Sequence, residues 1–221
     1  MSVLSELTTQ FKVCLGEGKI KLNTDDLKII LMRSGYSFDP KKHKFLKNLK
    51  TSFTGSSNVD FDASTNTIHC ADGGFLDAGF VEGNRIKISN TTNNNDLTLT
   101  IKSVTDTDIK VNENGVITDE TGTSATITSD DELENGYGYT QLDKVISVTS
   151  VDVADDNSVI YSLSDVNWTA TNGNIGPTPG AIIFDDTTSD DCLIGYINFG
   201  SEQTITDGTD LEIKGCSIIL G

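Results

Sequence analysis

The chain has 221 residues, 36% of them hydrophobic, and a formal net charge of −17. That length holds one large domain or two small ones, and so strong an excess of carboxylates works against binding phosphate-rich nucleic acid. Abundant Gly, Thr, Asn, Asp and Ser favour short strands joined by turns over helices.

The charge is uneven. Residues 1–50 carry 10 Lys/Arg and 5 Asp/Glu, whereas residues 51–221 carry 6 and 28. A basic N-terminal part is suited to an acidic surface. Met1-Ser2-Val3-Leu4-Ser5 lacks the basic start and apolar run of a secretion signal, and the apolar stretches are too short to span a bilayer. Neither export nor membrane insertion is expected.

In chain order, Leu4 to Leu15 reads as a short amphipathic helix, with Leu4, Leu7, Phe11 and Leu15 three and four apart. Lys28–Met32 is a continuous apolar run and predicts a buried strand. Asp39–Leu46 begins as a turn and continues as one helical turn, with Phe45, Leu46 and Leu49 facing inward. Residues 51–130 read as a separate unit. Val59–Asp62, Thr67–Cys70, Arg85–Ser89, Leu97–Ile101, Asp108–Val111 and Ala125–Thr128 alternate as strands, and their spacing predicts a small closed barrel.

After an acidic hinge at Ser129–Glu132 the pattern changes. Glu134–Tyr139 is a glycine–aromatic turn. Val145–Val151, Val159–Leu163, Val166–Ala170, Ala181–Phe184, Leu193–Phe199, Leu211–Ile213 and Ser217–Leu220 predict a β-sandwich, with Pro177 and Pro179 punctuating a loop. The apolar strand near residue 30 needs the same sandwich for cover. The expected fold is therefore mainly β: a discontinuous β-sandwich (1–50 and 131–221) with a short N-terminal helix and an inserted small β-barrel (51–130).

Chemistry is sparse. His43 lies in a lysine run and His69 in a strand, and neither belongs to a metal or catalytic signature. Cys14, Cys70, Cys192 and Cys216 fit no zinc spacing and read as buried thiols. The carboxylates of Asp185–Asp191 and the oxygen-rich Asn90–Asp96 could ligate Ca²⁺, but exposed connections kept soluble by charge are the favoured reading. No catalytic residue, metal or cofactor is expected. The candidate contacts are Lys41, Lys42, Lys44 and Lys47 in the basic run, and Tyr137 and Tyr139, whose rings offer flat amphipathic area. Against the tyrosine contacts stands the alternative that both rings fill the rim of the core.

Several segments carry a family resemblance. Phe11–Gly16, Ile20–Met32 and Asp39-Pro40-Lys41-Lys42-His43-Lys44-Phe45 resemble the start of a family of tailed-bacteriophage virion structural proteins. Glu132–Tyr137, Val166–Ala170, Ile175–Pro177, Ala181–Thr187 and Leu193–Gly200 resemble its C-terminal half. The middle unit, at Phe61-Asp62, Asn66–Ile68, Gly74–Leu76, Gly79-Phe80, Gly83 and Ser103–Thr105, resembles a small β-barrel module of phage particle proteins. The resemblance implies a non-enzymatic capsid decoration or cement protein. Its partners would be the major capsid protein and copies of itself in a homotrimer, with the N-terminal helix and Lys41–Lys50 on the shell and the acidic barrel outward. The alternative it leaves open is a tail, baseplate or fibre component that adheres to a host-surface glycan.

Overall fold

The computed structural model describes Leu4 and residues 6–221. Met1, Ser2, Val3 and Ser5, part of the segments read above as lacking a secretion signal and as a first helix, lie outside the described residues. Strands hold 46% of the chain and helices 7%, so the fold is mainly β. Two compact units are present, one ending at Leu46 and resuming over Glu132–Gly221, the other Lys47–Asp131. No helix among the described residues is long and apolar enough to cross a membrane.

The first unit begins with β1 (Glu6–Leu7), α1 (Thr9–Gly16) and β2 (Leu27–Leu31). The helix starts later than its apolar spacing suggests because Thr8 caps it. The Thr8 hydroxyl accepts from Phe11 N–H at 2.9 Å, satisfying one of the unpaired amides of the first turn. Upstream of that cap, Glu6 and Leu7 pair with Tyr196 and Gly195 as an edge strand. Gly195 permits the close approach: a Cβ there would lie 2.7 Å from the Glu6 carbonyl.

The second unit contains β3 (Lys50–Thr54), β4 (Val59–Asp62), β5 (Thr67–Cys70), the single turn α2 (Phe75–Ala78), β6 (Arg85–Ser89), β7 (Thr98–Val104), β8 (Asp108–Val111), β9 (Glu120–Thr123) and β10 (Thr126–Asp130). These strands form one sheet in the order β3-β10-β6-β7-β8-β5-β4-β9. The expectation of a closed barrel is corrected, because no ladder joins the edges β3 and β9. The physical reason lies in chain continuity. β3 leads directly into β4 and β9 into β10, β3 pairs with β10 and β4 with β9, and the two connections meet where Gly55 N–H donates to Ala125 O (3.0 Å). The sheet curls around Val59, Phe61, Ile68, Phe75, Phe80, Ile86 and Ile127, all at most 2% exposed.

The chain then returns to the first unit with β11 (Val145–Ile146), β12 (Val148–Val153), β13 (Val159–Leu163), β14 (Val166–Thr169), β15 (Ile175–Asp185), β16 (Leu193–Ile205), β17 (Asp210–Ile213) and β18 (Ser217–Leu220). A five-stranded sheet β1-β16-β15-β2-β11 packs with a three-stranded sheet β12-β13-β18 and the pair β14-β17 around one core. Pro177 and Pro179 are in β15 rather than in a loop. They fit there because β15 is irregular against β16 between Ile175 and Gly180, and β2 pairs only from Ala181 onward, so ladder donors are not required of them.

The register of the five-stranded sheet separates its two faces. Leu31, Ala181 and Ile197 form one row across β2, β15 and β16, and Ile30, Ile182 and Tyr196 form the next. The first row faces the shared core. The second points the opposite way, yet Ile30 and Ile182 are fully buried, so that face needs its own cover.

Candidate functional site

The cover comes from the segment between β2 and Leu46. Phe38 stacks on Tyr196 with centroids 5.1 Å apart, and Tyr36 meets the same ring edge-on at 6.0 Å. His43 lies beside both, at 5.4 Å from Tyr36 and 5.9 Å from Phe38. Thus the loop predicted to be basic has an aromatic underside seated on the sheet.

Hydrogen bonds fix its path. Ser34 Oγ and Gly35 N–H both donate to Glu202 Oε1 at 2.7 Å. Asp39 Oδ1 accepts from Lys41 N–H at 2.9 Å, making a tight Asx turn. The Pro40 carbonyl accepts from Thr9 N–H and the Lys44 carbonyl from Leu193 N–H, while Leu46 N–H donates to Asp191 O. His43 is only 2% exposed. Its Nδ1 accepts from Asp39 N–H at 3.0 Å and lies 3.0 Å from the Tyr36 hydroxyl oxygen.

This arrangement presents Lys41 and Lys44 to solvent. Lys42 is partly shielded and pairs with Asp39 at 3.7 Å. Lys47 is also exposed but belongs to the other compact unit, where its Nζ donates to the Asp77 carbonyl. Three of the four lysines belong to the aromatic-backed turn, and Lys47 belongs to the other unit.

The two tyrosines separate completely. Tyr137 is 57% exposed. Tyr139 is 3% exposed and belongs to the core, so as a partner contact it is corrected. Its hydroxyl donates to Glu132 Oε1 (2.7 Å) and accepts from Leu31 N–H (3.0 Å), at the end of β2. Gly138, with φ of +97°, makes the sharp turn between them; a Cβ would lie 2.1 Å from the Thr169 carbonyl. Glu132, the last residue of the expected acidic hinge, is 1% exposed and also accepts from Leu142 N–H at 2.8 Å. Asp131, equally buried, is held within the second unit by Asn84 Nδ2 at 2.7 Å. The expected acidic hinge thus coincides with the boundary between the two units, and two of its carboxylates are internal.

The acidic loop is likewise only partly exposed. Asp185 is fully buried at the end of β15, where its Oδ1 accepts from Thr187 and Thr188 N–H and its Oδ2 has no hydrogen-bond donor among the described residues. Burial raises its pKa, and the nearby Asp25 charge adds to the effect. In the Asn90–Asp96 turn, Asn94 is buried and bonds Thr118 and Glu120, which is a structural role. Among the described residues no group of three or more His, Cys, Asp or Glu side chains is placed to hold a metal ion.

One surface went unrecognised in the sequence. The strand run 145–153 passes from the edge of the five-stranded sheet to the edge of the three-stranded sheet. It exposes Val145 (59%), Val151 (43%) and Val153 (73%). Val145–Val151 reads as an ordinary half-buried strand, and only its edge position reveals the exposure.

Replacing Tyr139 by Phe should cost roughly 1–3 kcal/mol, because Glu132 and Leu31 N–H lose a buried partner. Tyr137→Ala should stay within about 0.5 kcal/mol. Urea unfolding followed by fluorescence of Trp168, 6.3 Å from the Tyr139 ring, measures both; equal losses would refute the assignment. His43 offers a second test. Burial lowers its pKa from 6.5 to about 4; Asp39 opposes this and Lys42 adds to it. The unfolded imidazole thus takes up a proton that the folded one refuses. Stability is complete above about pH 6.5 and falls by up to about 3 kcal/mol as pH drops toward 4. His43→Phe should flatten that acid slope in the same unfolding assay.

Neither a protein-family model, nor a curated protein, nor a solved structure matches the chain.

Proposed function

We propose that this chain is a non-enzymatic structural protein of a tailed-phage particle. Within the particle we assign it to the capsid exterior, as a decoration protein that binds major capsid subunits and associates with copies of itself in a homotrimer. The observation that carries the reading is the 33–46 loop, whose segment resemblance is described above. An aromatic underside and a tight Asx turn hold the backbone that carries Lys41, Lys42 and Lys44, a basic projection on an otherwise acidic chain. Charges on a backbone already held in place suit docking on an acidic surface, since little loop freedom is lost on binding.

Two further features support assembly over catalysis. His43, Asp131, Glu132 and Tyr139 are buried in structural hydrogen bonds. The edge strand β12 has Val151 and Val153 turned to solvent, and β18 at the opposite edge of that sheet exposes Ile219 (44%). Such edges are templates for pairing with another copy. A second reading, a tail, baseplate or fibre component contacting a host glycan, is favoured by Tyr137 alone, an exposed ring on a tight turn.

Electron microscopy and quantitative mass spectrometry of purified particles decide between them. Hundreds of copies on the head support decoration, a handful at the tail support the second reading, and absence from particles overturns both. Under the first reading, the combined Lys41→Glu, Lys42→Glu and Lys44→Glu variant should lower occupancy roughly tenfold, equivalent to about 1.4 kcal/mol. Self-association has its own test. Val151→Lys with Val153→Lys should leave a folded monomer by light scattering, and an unchanged oligomer would remove β12 from the interface.

A further inference from the structure

Cys14 on α1 and Cys192 just before β16 are 178 positions apart in sequence, yet their sulfurs lie 3.4 Å from each other. Both are thiols, and both are buried, at 4% and 1% exposure. They line a cavity of about 340 Å³ together with Gln10, Lys19, Phe45 and Asp190. Cys70 lies in the core of the other unit, and Cys216, in the same core as the pair, makes no sulfur–sulfur contact among the described residues.

We propose that Cys14 and Cys192 form a dithiol site that a small disulfide, such as a glutathione-type disulfide entering this cavity, oxidises to an internal cross-link. The site is asymmetric. Gln10 Nε2 and the Cys192 thiol each donate to the Cys14 sulfur at 3.4 Å. Both contacts make Cys14 the acceptor of the pair and Cys192 the donor. Burial raises the pKa of Cys192, with the Cys14 contact adding to it.

Cys14 is therefore the attacking sulfur. Its thiolate displaces one half of the small disulfide as a thiolate and forms a mixed disulfide. Cys192 then gives up its proton, its sulfur attacks the Cys14 sulfur, and the second half leaves as a thiol. Two protein thiols are oxidised and one small disulfide is reduced to two thiols. The final bond requires the sulfurs to close from 3.4 Å to about 2 Å. The product ties α1 to the start of β16 and closes most of the chain into a loop, restricting the unfolded state.

The test uses the full-length folded protein incubated with oxidised or reduced glutathione. Free thiols are then alkylated in denaturant and the peptides mapped by mass spectrometry. The expected result is a Cys14–Cys192 cross-linked peptide, with Cys70 and Cys216 alkylated. The Trp168 thermal unfolding midpoint should rise by roughly 5–10 °C and return when dithiothreitol is added. Four alkylated cysteines after oxidation, a bridge to Cys70 or Cys216, or a persistent glutathione adduct in the wild type would overturn the proposal. Cys192→Ser should stop at glutathionylated Cys14, and Cys14→Ser should leave Cys192 unmodified. The reverse pattern refutes the order of attack. If either variant fails to fold, the wild-type cross-link map alone decides whether the site exists.

Discussion

A carboxylate removed from water must find hydrogen-bond donors, and the first unit is organised around one that does. Glu132 is 1% exposed and receives the Tyr139 hydroxyl and Leu142 N–H. Tyr139 in turn receives Leu31 N–H, the last amide of β2. This relay fixes where the returning chain meets the central sheet. The tyrosine must point inward, so the preceding turn needs Gly138 in a left-handed conformation, and Tyr137 is thrown outward. Trp168 packs against the same ring, carrying the constraint into β14. The cost of an unpaired buried carboxylate makes the arrangement all-or-none.

Much of the fold was legible because apolar side chains report burial directly. Lys28 to Leu31, Ala181 to Phe184 and the alternating Arg85–Ser89 are strands in both sequence and structure. The polar strands β3 and β9 were not legible. Lys-Thr-Ser-Phe-Thr and Glu-Thr-Gly-Thr show little of the apolar alternation that marks a core-facing strand, and they lie at the sheet edges. The buried acids failed for a related reason. Asp131 and Glu132 in a run of polar residues look solvated, and only their distant donors Asn84 and Tyr139 explain them. The two tyrosines of Gly136–Tyr139 were indistinguishable by type; φ values and the hydroxyl partners separated them.

The basic loop combines both lessons. Its lysines were visible as charge, whereas its underside of Tyr36, Phe38 and His43 became intelligible only once Tyr196 lay beneath it. With the imidazole held neutral by burial, the loop's positive charge rests on flexible amines at its rim. Shape comes from the aromatic layer and charge from the rim, so either can be altered while the other is kept.

The ladder between β2 and β11 pairs segments separated in sequence by the whole of Lys47–Asp131. Closing so long a flexible loop is slow and entropically costly. Within the second unit, however, Lys50 is in register with Asp130, and Asp131 N–H donates to the Leu49 carbonyl. Once that unit has folded, its two ends are neighbours and the effective loop becomes a short one. An inserted unit of this kind acts as a scaffold for its host during folding: early formation of the β3–β10 ladder turns a remote strand encounter into a local one.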